Sequence, residues 1–64
     1  MSLLEEFHNR YKHGPTEPAK KILFAVLGDL FGRKGLNKEW DGIDEETQEE
    51  LLETNLEIIQ RHLP

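Results

Sequence analysis

Cysteine is absent from this 64-residue chain, which excludes a disulfide, a thiolate zinc site and a cysteine nucleophile. Serine occurs once, at Ser2, and none of His8, His13 or His62 has a serine or threonine in a recognisable catalytic arrangement with it. Long apolar runs are also missing. The longest, Ile22 to Leu27, has six residues, far short of the roughly 20 needed to span a bilayer. The opening MSLLEEFHNR carries acids early and does not read as a secretory leader. No segment alternates with period two, so strands are not expected. What is left is one small domain, residues 1–64, expected to be soluble and cytoplasmic, with no enzyme activity, metal or cofactor. At this length a lone core is marginal, and helix packing or oligomerisation has to support it.

The charge that is present is unevenly spread. Residues 1–38 hold seven Lys/Arg against four Asp/Glu, and residues 39–64 hold one Arg against nine acids. The halves balance at +3 and −8, which gives the net −5. This favours packing one half on the other, within a chain or between chains. The acidic half repels phosphates and argues against nucleic acid as its ligand. A nucleic-acid site elsewhere needs Arg10, Lys12, Lys20, Lys21, Arg33 and Lys34 to share one face.

Helical periodicity predicts three helices, at about 2–13, 17–31 and 44–63. Ser2-Leu3-Leu4-Glu5 reads as a capping box, Leu4, Phe7 and Tyr11 form an apolar stripe, and Gly14-Pro15 ends the first helix. Thr16 is the expected cap of the second, with Pro18 tolerated in its first turn. In the second helix Ala19, Ile22, Leu23, Phe24, Val26, Leu27, Leu30 and Phe31 cover an arc of roughly 200°. That is too wide for contact on one side only. Gly32 is expected to cap its end and Gly28 to permit a close helix crossing. Leu36 to Trp40 suits a short helical turn with Asn37 as cap. Asp44 is a strong cap for the last helix, and Trp40 is expected to seal the connection or to stand exposed as a binding residue.

A polar residue interrupts the last helix's apolar stripe. Leu51, Leu52, Leu56, Ile58, Ile59 and Leu63 share one arc, and Asn55 falls among them, with Gln48 and His62 seven residues to either side. A buried, unpaired amide costs about 1–3 kcal/mol, and a buried Asn that meets its own copy is an established way to fix register. The expectation is an all-α chain whose second and third helices form a hairpin that pairs as a homodimeric bundle. Leu23, Val26, Leu27, Leu30, Leu51, Leu52, Asn55, Ile58, Ile59 and His62 would carry self-association. Glu46, Glu49, Glu50, Glu53 and Glu57, expected opposite the leucines, and Trp40 would remain for another protein.

Three motif-like strings fail on inspection. Glu5-x-x-His8 has the spacing of di-iron carboxylate bundles, but too few other acids accompany it. Residues 37–48, NKEWDGIDEETQ, have the central glycine of a calcium loop but place Gln48 where a bidentate glutamate belongs. Residues 28–35, GDLFGRKG, lack the spacing and the Ser/Thr of a phosphate loop.

The stretch from Phe31 to Ile59 resembles the C-terminal parts of short uncharacterised proteins encoded by phages and prophages. The match rests on Arg33, Lys34, Gly35, Trp40, Ile43, Asp44 and the Glu-rich start of the last helix. The resemblance covers about half the chain. It implies a bacterial or viral cytoplasmic setting and a small regulator that works by binding, and it brings no function of its own. Two functions follow as expectations: a self-associating interaction protein, or an acidic inhibitor whose carboxylates mimic nucleic acid in an enzyme's basic groove.

Overall fold

A computed structural model of the chain describes residues 2–64. The described residues are helical and turn in conformation, with no strand. Four helices follow one another: α1 (Leu3–His8), α2 (Pro18–Leu30), α3 (Leu36–Asp41) and α4 (Glu45–His62). The all-α expectation holds, with four helices instead of three.

The first helix is half its expected length. Ser2 does cap it, its hydroxyl accepting from Glu5 N–H at 3.1 Å, but Asn9 ends it and tight turns follow. Arg10 supplies the physical reason. Its backbone N–H and its guanidinium both donate to the Phe7 carbonyl, at 3.3 and 2.8 Å, an acceptor that a longer helix would have paired with the N–H four residues on. The guanidinium also lies over the Phe7 ring at 4.2 Å. The stripe therefore breaks after Phe7, and Tyr11 is 86% exposed.

Helix α2 starts at Pro18, whose fixed φ suits a first helical position. Its cap residue is Glu17, not Thr16, and Glu17 makes no side-chain cap. It ends at Leu30 with Phe31 in the capping position, so Gly32 does not serve as the cap. Gly35 performs the sharp reversal, with φ of 96°, a value that L side chains rarely adopt. It replaces Asn37 as the residue that starts α3. Asp44 caps α4 as expected: it accepts from Thr47 N–H at 3.1 Å and from the Thr47 hydroxyl at 2.7 Å.

Helices α2 and α4 pack antiparallel. At one end Gln60 Nε2 donates to Glu17 at 2.9 Å. At the other, Phe31 stacks on Trp40 at 4.1 Å between ring centroids, and Gln48 Nε2 donates to the Trp40 carbonyl at 2.7 Å. Across one side of this pair lies α1, with Leu3, Leu4 and Phe7 buried in the shared core. Phe7 meets Phe24, Phe31 and Trp40 edge-on. Trp40 is buried and seals the connection, so the exposed alternative is set aside. Gly28 faces the Arg10 side chain, not another helix backbone, and so marks no close crossing. None of the helices is long and apolar enough to cross a membrane among the described residues.

Candidate interaction surface

The side of the α2/α4 pair covered by α1 is identified by its contacts. On α2 they fall at Lys20, bonded to Glu6 at 3.0 Å, and at Phe24 and Phe31, against Phe7. Arg10 completes the set at Gly28. On α4 they fall at Glu49, whose carboxylate accepts from Leu4 N–H at 2.8 Å and from Leu3 N–H at 3.3 Å. Glu49 thereby caps the start of α1 from another helix. The expectation that Glu49 belongs to the outward acidic face is corrected accordingly.

About 150° round each helix from these contacts lies an open face. On α2 it carries Ile22, Val26 and Leu30, at intervals of four, with Ile22 41% and Val26 53% exposed. Alongside on α4 run Leu51, Asn55, Ile58 and His62, with Leu51 and Asn55 half-buried and Ile58 39% exposed. On α2 the outer edge of this stripe carries only Asp29, paired with Arg33, and between Leu51 and Ile58 on α4 no charged residue falls on it. That is unusual on so charged a helix as α4. Scattered surface hydrophobics are ordinary, but a contiguous, charge-depleted patch with a polar rim is the composition of an interface centre.

The expected self-association set divides. Leu23, Leu27 and Leu52 are consumed by the chain's own core, Leu52 at 0% exposure, while Leu51 and Ile59 are partly buried against it. Val26, Leu30, Asn55, Ile58 and His62 line the open face, with Leu51 at its inner edge. Ile22 joins them; its i, i+4, i+8 relation to Val26 and Leu30 was the available signal. Asn55 already has one partner, since its Nδ2 donates to its own Leu51 carbonyl at 2.7 Å. It does not need a second subunit to avoid an orphaned donor. Gln48, on the same line, is buried and bonded to Trp40. His62 Nδ1 contacts the Ile58 carbonyl at 2.8 Å.

Glu46, Glu50, Glu53 and Glu57 are exposed along the outer side of α4, away from the open face. The Glu53 carboxyl is raised above the ordinary value, chiefly by a hydrogen bond shared with Glu49, then by burial and by repulsion from Glu49, Glu57 and Glu50. Asp44 is lowered, chiefly by the Thr47 hydroxyl and then by Thr47 N–H.

The remaining candidates carry less. Half of the cations named for nucleic acid are engaged within the chain: Arg10 on Phe7 and Tyr11, Lys20 on Glu6, and Arg33 on Asp29 at 3.1 Å. Beside α1 and the start of α2 is a cleft of about 320 Å³ over Phe24, and in its walls Glu6 and Lys20 neutralise each other. Among the described residues no three His, Asp or Glu side chains stand where they could hold a metal ion. Comparison with known proteins finds no matching family model, no matching curated protein and no matching solved structure.

Proposed function

We propose that this chain is a small helical interaction protein that acts by self-association and by binding another macromolecule, without catalysis. The observation that carries the proposal is the apolar open face of α2 and α4. A 64-residue chain that leaves Ile22, Val26, Leu30 and Ile58 in water forgoes burial worth about 25 cal/mol per Å², and association recovers it. The bacterial or phage-related cytoplasmic setting implied by the sequence resemblance suits a regulator of this kind. The test is solution mass by light scattering after size exclusion across a wide dilution range, for the wild type and for Val26→Lys. The wild type is expected to exceed the monomer mass at high concentration, and Val26→Lys to remain folded and monomeric. A strictly monomeric wild type at every concentration sinks the proposal.

A second function is favoured by the exposure of Glu46, Glu50, Glu53 and Glu57 in a crowded row along the outer side of α4: these carboxylates imitate a phosphate row and occupy a basic groove. It predicts salt-sensitive binding to a basic protein that is lost when Glu46, Glu50, Glu53 and Glu57 become Gln, with the oligomeric state unchanged.

A further inference from the structure

We draw no further inference here: the strongest candidate, the half-exposed apolar face of α2 and α4, belongs to the surface already described and nothing in the structure shows what covers it, while the cleft over Phe24 has its Glu6 and Lys20 spent on each other and its Glu17 bonded to Gln60.

Discussion

The two sides of the α2/α4 hairpin use similar residues to different ends. On the side covered by α1, Phe24 and Phe31 meet Phe7, Lys20 meets Glu6, and the first amides of α1 meet Glu49. Apolar surface is buried there and each polar group near it has a named partner. On the other side Ile22, Val26 and Leu30 repeat with the same helical spacing and stay about half exposed. The broad apolar arc of α2 is thus two faces, one closed by the chain itself and one left open. Width alone does not separate them. The contacts made by α1 along the closed edge do, since the open edge has no element laid across it.

The largest expected effect tests that division directly. Phe7→Ala removes a ring in contact with three other aromatic rings and should cost about 3–5 kcal/mol. In a domain of this size that is comparable with total stability, so the helical signal in circular dichroism should largely disappear at room temperature. Ile22→Ala, on the open side, should cost less than about 1 kcal/mol in the monomer while weakening association. Equal losses of stability from the two substitutions would mean that the open face is not open.

A tertiary bond comes next in size. Glu49→Ala leaves the Leu3 and Leu4 amides without their acceptor and should cost about 1–2 kcal/mol, as the loss of a good cap does. The loss should be local. Amide exchange should quicken at the start of α1, while α2 and α4 keep their protection. Glu46→Ala, one turn away and fully outward, is the control that should change nothing measurable. Uniform acceleration across the chain would show that α1 is not a separately held element.

How much of this was legible in the sequence differs from element to element. The Asp44 cap, the Pro18 start and the amphipathic α4 are local matters of residue type and spacing, and the structure has them. Fold class follows from the same signals. The early end of α1 was not legible, because it depends on Arg10 reaching back to the Phe7 carbonyl with both its backbone N–H and its guanidinium. Nor was the cap supplied by Glu49. Nothing within α4 distinguishes that carboxylate from Glu46 or Glu50 until α1 is laid across it. The open face was half legible. Helical spacing places Val26 and Leu30 on one line and Leu51, Asn55 and Ile58 on another. Which leucines the core consumes, and which stripe α1 covers, depends on where α1 docks, and that is a long-range fact.

The smallest expected effect sharpens the contrast along α4 itself. Glu53 has its carboxyl raised in the folded chain, first by its bond to Glu49, then by burial and neighbouring carboxylates. The folded state therefore holds that proton more tightly than the unfolded state, and stability should rise as pH falls through the carboxylate range and be lost again as pH rises past the raised value. Asp44 works the other way. Lowered by Thr47, it contributes stability that is present above its ordinary value of 3.8 and lost as pH falls through its folded value. The opposing signs predict a shallow optimum in melting temperature on the acid side of neutrality, with a decline below it. Glu53→Gln should flatten the upper limb and slightly raise the neutral-pH melting temperature, because a glutamine amide can donate to Glu49 without needing a proton. The decline at low pH, which belongs partly to Asp44, should persist. A variant whose pH profile matches the wild type would show that the carboxylates along the outer side of α4 act independently. The crowding invoked for a phosphate-mimicking row would then have no measurable consequence.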